Sequence, residues 1–222
     1  MGNVSISCFI PRLRKAGFLE NGQMATRLIL IRHGLTDWNL EKRYCGFVDL
    51  GLNRIGKRQA QGLHKRFKKE KVDKVYSSDR KRAVQSAEII FKGREIKRIA
   101  DLREIHFGVL EGLTHKEVME RYPKIYKRWL DDPFSAVIPK GEGLRNFRKR
   151  IIRVFKKIVS LNRDKAVAVV CHGGPISIFL NHISKSKDFW NRIPASASVS
   201  IIEYRNGKPR IKLFNGQGGL PA

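Results

Sequence analysis

The sequence predicts an α/β fold of three layers, α/β/α, in which a mostly parallel sheet is flanked by helices on both faces. Three observations predict it. Segments such as Leu28, Ile29, Leu30, Ile31 and Ala166–Cys171 are apolar at consecutive positions, which is the pattern of strands buried on both faces. Longer stretches between them place their apolar residues at helical spacing. Strand and helix alternate along the chain, as expected when parallel strands are joined by crossover helices.

The first strand covers residues 28–31 and runs into a loop rich in Gly, Asn and Asp, after which a helix begins near Asn53. Residues 73–77 read as a second strand and residues 80–91 as the helix that follows it. Residues 114–130 are helical, with Pro123 restarting the helix because proline lacks the N–H that an interior turn requires. From Leu144 onward, Phe147, Ile151, Val154, Phe155, Ile158 and Leu161 recur on one helical face and basic residues occupy the other. Ala166–Cys171 is the third strong strand, and Gly173, Gly174 and Pro175 open another helix. Residues 199–204 and 209–214 pair around the turn signal Asn206-Gly207. Residues 27–215 are read as one domain, preceded by a basic, poorly ordered extension over 1–26 and followed by a tail over 216–222.

Composition narrows the class. With 41% hydrophobic and 30% charged residues, the chain has the balance of a soluble globular protein, and no apolar run reaches the roughly 20 residues of a membrane helix. Cys8, Cys45 and Cys171 are too few and too scattered for a disulfide framework, which points to reduced thiols and a cytoplasmic location. The formal net charge of +26 is the abnormal quantity. It attracts phosphorylated metabolites and nucleic acid alike, but the basic residues are spread along the chain and form no nucleic-acid motif.

Ligands of open α/β sheets bind outside the carboxyl ends of the strands. Here those ends read Arg32-His33-Gly34, then Ser77 through Arg82, then His172-Gly173-Gly174, so two histidines and several arginines converge on one edge. An imidazole with one free ring nitrogen is a nucleophile toward phosphorus, and a transferring phosphoryl group needs fixed cations and donors around its oxygens. Arg32 and Arg82 supply planar forks, Asn39 an uncharged donor, and His172, if protonated, a further cation. Glu104 is the candidate general acid and base for the leaving alkoxide. Neither metal nor cofactor is expected, since no HExxH, Walker loop or paired Asp motif is present. His64 and His115 are expected on exposed helix faces, while His106 beside the acid is a candidate substrate contact.

These residues carry a resemblance. Residues 30–39 read Leu-Ile-Arg-His-Gly-Leu-Thr-Asp-Trp-Asn, and Gly46-Phe47-Val48-Asp49, then Leu52, Gly56, Gln59 and Ala60 follow. Next come Ser77 to Ala83, then Glu104 within Leu102 to Gly108, and Cys171 to Gly174. Four separated blocks in this order resemble the histidine phosphatase superfamily, the phosphoglycerate mutase-like enzymes, over about residues 27–204. The resemblance implies the phosphoglycerate mutase-like fold and a metal-independent reaction in which His33 is phosphorylated and Glu104 passes the proton. It also implies a phosphate pocket of Arg32, Asn39, Arg82 and His172, with Gly46 and Gly173 at the substrate. Three positions depart from the pattern. Leu35 follows the glycine where an acid or Gln is usual, Arg80 stands where the family has an apolar residue, and Gly143 replaces the serine of a G-E-S.

The segment after Glu104, with Gly108-Val109-Leu110-Glu111-Gly112, Tyr122-Pro123 and Asp131-Asp132-Pro133, resembles the phosphatase branch, α-ribazole phosphatases and broad-specificity phosphatases in particular. The expected partner is thus a small phosphorylated metabolite. Other readings stay open at this point: a cofactor-dependent phosphoglycerate mutase, a basic nucleic-acid-binding member without turnover, and a module that recognises phosphorylated proteins.

Overall fold

The computed structural model describes residues 25–186 and 192–217. The extension expected over 1–26 lies outside the described residues but for Ala25 and Thr26, as does the expected tail but for Gly216 and Gln217. The chain runs β1 (Thr26–Arg32), α1 (Asp37–Leu40), α2 (Arg54–Phe67), β2 (Lys74–Ser77), α3 (Lys81–Ile90), β3 (Ile96–Arg98) and two 3-10 turns, Ala100–Leu102 and Gly108–Leu110. It continues with α4 (His115–Arg121), α5 (Pro123–Asp131), α6 (Leu144–Leu161), β4 (Ala166–Cys171), α7 (Gly173–Ser184), β5 (Ser198–Arg205) and β6 (Lys208–Gln217).

The six strands form one sheet in the order β3-β2-β4-β1-β5-β6. β3, β2, β4 and β1 are parallel, and the β5–β6 hairpin adds two antiparallel strands beside β1. The central strands divide their side chains between two cores because successive residues point to opposite faces. Leu28 and Leu30 of β1, with Val167, Val169 and Cys171 of β4, pack under α4 to α7. Ile29, Ile31, Ala168 and Val170 face α2 and α3 through Ala60, Leu63, Phe67, Ala87 and Ile90. Consecutive apolar residues in both strands therefore require a helical layer on each side, which is the three-layer fold that the sequence predicts.

The helices follow from local signals. Asn53 caps α2 by accepting from Gly56 N at 2.8 Å, and Thr114 with Glu117 forms a capping box at the start of α4. Pro123 divides the 114–130 stretch into α4 and α5, entering at the first turn of α5, where its missing N–H costs nothing. α6 buries Phe147, Ile151, Val154, Phe155 and Ile158 at i, i+4, i+7, i+8 and i+11. Phe155 stacks on Phe179 of α7 with ring centroids 4.5 Å apart, and truncating such a buried ring to alanine typically costs about 3–5 kcal/mol.

Two elements escape the sequence pattern. β3 is a three-residue edge strand with Lys97 and Arg98 exposed, charges that protect an edge but erase the apolar signal. α1 is a single turn held by a capping box between Thr36 and Asn39. Among the described residues no helix is long and apolar enough to cross a membrane.

Candidate active site

Register builds the site. Arg32 of β1 pairs with Cys171 of β4, so the residues that follow, His33 and His172, leave the sheet side by side, and their ring centroids lie 5.2 Å apart at an interplanar angle of 65°. Ser77 of β2 pairs with Val170, which brings Ser78 onto the same edge. His172 Nε2 lies 2.8 Å from Ser78 Oγ. Both histidines are buried.

His33 is oriented by its own backbone. Its Nδ1 sits 2.7 Å from Gly34 O, and because a carbonyl only accepts, Nδ1 carries the proton and Nε2 keeps its lone pair. The turn that presents it is tight. A Cβ at Gly34 would meet Gly56 O at 2.5 Å, and Gly34 N donates to Ser86 Oγ, which itself donates to Arg82 O at 2.7 Å. Burial lowers the His33 pKa well below its ordinary 6.5, with Arg82 and Arg32 adding to the effect. The ring is therefore a neutral base at neutral pH.

The cations come from neighbouring strand ends. Arg82, wholly buried in the first turn of α3, donates through Nη1 to Val48 O at 2.9 Å and through Nη2 to Gly46 O at 2.7 Å and Cys45 O at 3.3 Å. Arg32 donates to Pro194 O at 2.6 Å and lies against Gly173, whose added Cβ would come within 3.4 Å of Arg32 Cζ. Among the buried side-chain atoms without a hydrogen-bond partner are two guanidinium donors of this group, Arg32 Nε and Arg82 Nε, together with His172 Nδ1. Unpartnered buried donors are costly, and two guanidiniums grouped with an imidazole form an anion cradle.

Glu104 closes the group from the loop after the first 3-10 turn. Its carboxylate accepts from Ile105 N at 3.0 Å and from Gly174 N, in the first turn of α7, at 2.9 Å. Desolvation raises its pKa, opposed by those two N–H groups and by Arg32 and Arg82. A Cβ at Gly174 would stand 2.1 Å from Glu104 Oε1, so this glycine is required by the carboxylate.

The predicted residues thus divide. His33, His172, Arg32, Arg82 and Glu104 come together, and Gly173 lines Arg32. Gly46 contributes a carbonyl to Arg82 and has no room for a side chain, since a Cβ would meet Ile105 O at 2.0 Å. Asn39 has a structural task in α1, where its Oδ1 accepts from Thr36 N at 3.1 Å, leaving its amide nitrogen as the free end. His172 differs from the expected cation, because burial, then Arg82, His33, Arg32 and Arg80, hold its pKa well below 6.5. Its Nε2 is turned to Ser78 Oγ, and its Nδ1 is buried without a hydrogen-bond partner. His64 is half-buried rather than exposed, with Nδ1 2.9 Å from Ile90 O. His115 is exposed and reaches Tyr126 Oη.

Two further residues hold the site without having stood out in the sequence. Ser78 is one. Glu111 is the other: its carboxylate accepts from the backbone N–H of Gly46 (3.0 Å), Phe47 (2.8 Å), Val48 (3.4 Å) and Phe107 (3.0 Å), fixing the loop whose carbonyls grip Arg82. Its signal was an acid between Gly108 and Gly112 with no Lys or Arg three or four positions away.

A α/β sandwich with two imidazoles and two guanidiniums at the carboxyl edge of its parallel strands belongs among phosphate-handling enzymes. The profile described as "Histidine phosphatase superfamily (branch 1)" matches residues 28–217, and the chain belongs to that family. It is 33% identical over 194 residues to Phosphoserine phosphatase 1 of Hydrogenobacter thermophilus, covering 85% of this chain and 92% of the relative. It is 32% identical over 188 residues to the Metal-independent phosphoserine phosphatase of Arabidopsis thaliana, covering 82% and 78%. A putative alpha-ribazole-5'-P phosphatase from Escherichia coli superposes with a TM-score of 0.81 at 26% identity, covering 88% of this chain and 99% of that one. These relatives group the chain with the phosphatases of its superfamily.

Proposed function

We propose that the protein hydrolyses small phosphomonoesters without a metal, through a phosphohistidine on His33 Nε2. The observation that carries this reading is the pair of unpartnered buried guanidinium donors, Arg32 Nε and Arg82 Nε, grouped with His172, whose Nδ1 also lacks a partner, around an imidazole whose free nitrogen is a base at neutral pH. The His33 lone pair attacks phosphorus as the ester P–O bond breaks, and Glu104, protonated, gives its proton to the leaving alkoxide. The ionised Glu104 then takes a proton from water as the water oxygen attacks phosphorus, and the P–N bond breaks to release phosphate and restore His33. The cations meet the charge that builds on the equatorial oxygens.

For the substrate, α-ribazole 5′-phosphate is supported by the E. coli structural neighbour and phosphoserine by the two sequence relatives. A panel of phosphomonoesters that includes both, assayed with chelator present and with and without a bisphosphoglycerate, tests the reading. Phosphate release in chelator with no need for the bisphosphate is the expected result. Transfer to a second hydroxyl that depends on the bisphosphate would replace the phosphatase by a mutase.

A further inference from the structure

Arg80 takes no part in the phosphate pocket described above, but it stands beside it. It follows β2 at the cap of α3, two residues after the serine that touches His172 and two before Arg82, and its backbone N lies 3.4 Å from Ser78 Oγ. Its guanidinium carbon stands 4.8 Å from the centroid of the Phe47 ring. Phe47 follows Gly46, whose carbonyl Arg82 grips, and its ring also meets His106 at 4.5 Å. The cation thus rests on an aromatic shelf at the rim of the pocket, close enough to disfavour protonation of His172.

Asp79 and Asp49 lie near enough to act on Arg80 through space, but each has its own hydrogen-bonded partner. Asp79 is held by Arg103 through both Nε, at 2.7 Å, and Nη2. Asp49 accepts from Lys81 N at 2.7 Å. Arg103 also reaches the Phe47 ring, 5.6 Å from the centroid, but it is paired with Asp79. Arg80 Nε is buried without a hydrogen-bond partner, and no ion pair to Arg80 is found among the described residues. A half-buried guanidinium held over a ring, with its Nε unpartnered, is preorganised for a planar or tetrahedral anion.

We infer that Arg80, carried on Phe47, forms a second anion subsite beside the phosphate pocket, so that the preferred substrates are phosphomonoesters bearing another anionic group, a carboxylate or a second phosphate. This deepens the phosphatase reading and rests on it. Arg32 and Arg82 take the transferring phosphoryl group, and Arg80 takes the part of the substrate that leaves.

The test compares esters that differ in that group alone. 3-Phosphoglycerate and sn-glycerol 3-phosphate share a skeleton, with a carboxylate in the first where the second has a hydroxymethyl group, and glycerol 1,3-bisphosphate supplies the phosphate alternative. The wild-type protein is expected to favour one of the doubly anionic esters over glycerol 3-phosphate by about tenfold or more in kcat/KM. Arg80→Leu is expected to shrink that ratio about tenfold, mainly through KM, and Phe47→Leu to shrink it less. Whichever doubly anionic ester loses more identifies the second anion as carboxylate or phosphate. A wild-type ratio near one, or a ratio that Arg80→Leu leaves unchanged in a protein of normal thermal melt, overturns the subsite. If Arg80→Leu does not fold, Arg80→Gln is read the same way. If the wild type hydrolyses none of the three esters and neither α-ribazole 5′-phosphate nor phosphoserine, the phosphatase reading fails on its own. Equilibrium binding of the same pair to wild type and Arg80→Leu then decides the subsite by the same ratio.

Discussion

The two ends of the central sheet are built from the same strands and are opposite in character. At the amino end, polar groups are spent on one another: Asp164 N donates to Thr26 Oγ1 at 2.8 Å, Ala166 N to Asp73 Oδ2 at 2.8 Å, and Asp73 N to Ala166 O at 2.7 Å. At the carboxyl end, three guanidinium N–H groups, on Arg32, Arg80 and Arg82, are buried without a hydrogen-bond partner, as is the Nδ1 of His172. Pairing stabilises a fold, whereas unused buried donors cost stability. The grouping of such atoms at the carboxyl end fits the proposed anion site, since functional sites commonly depart from rules that the rest of a fold obeys.

Substitutions at the two ends should break along that line. The largest effect belongs to His33→Ala, which should abolish both turnover and covalent labelling by a phosphomonoester carrying radioactive phosphate. Persistent labelling would remove His33 as nucleophile. Next comes Arg82→Met, expected to lower kcat about 100-fold, the scale for removing one charge-stabilising donor.

That variant also sharpens the electrostatics. A nearby cation disfavours an imidazolium and favours a carboxylate, so Arg82 lowers the pKa of both His33 and Glu104. Activity should fall as pH drops through the depressed His33 value and as pH rises through the raised Glu104 value. Arg82→Met should move both limbs of the kcat/KM profile to higher pH, and Glu104→Gln should flatten the alkaline limb. Limbs that stay in place would separate Arg82 from the reacting groups.

Ser78→Ala is a smaller cut. Without that hydroxyl, the His172 ring loses the partner of its Nε2, and kcat should fall about tenfold while phosphate affinity changes less; equal losses would mean a structural role only. At the opposite end, Asp73→Ala removes the carboxylate that Ala166 N uses. It should lower unfolding stability by about 1–2 kcal/mol in a denaturant titration and leave kcat/KM within about twofold. A loss of turnover there would end the contrast between the two ends.

How much was legible follows from which signals are local. Buried parallel strands announce themselves as apolar runs, so β1 and β4 were readable, and α6 was readable from its stripe. β3 was not, because an exposed edge strand has no buried face to impose alternation. Arg32, His33, Arg82, Glu104 and His172 were readable as chemistry at strand ends and within motifs. Ser78 and Glu111 were not, since what distinguishes them is a partner: the ring of His172, 94 positions away, and a loop more than 60 positions earlier. The charge state of His172, conditional in the sequence, turns on burial for the same reason, because burial is a property of the surroundings.

By itself the sequence determined the layers, the motifs and the edge of the sheet on which they fall, since hydrophobic period and turn chemistry act between residues close in the chain. Only the tertiary structure decided which groups became neighbours and what protonation that allows. Strand register set His33 beside His172, burial held both imidazoles neutral and pushed Glu104 toward its acid form, and a loop pinned by Glu111 closed on Arg82. Those outcomes depend on desolvation and on charges brought near through space, quantities that no local stretch of residues contains.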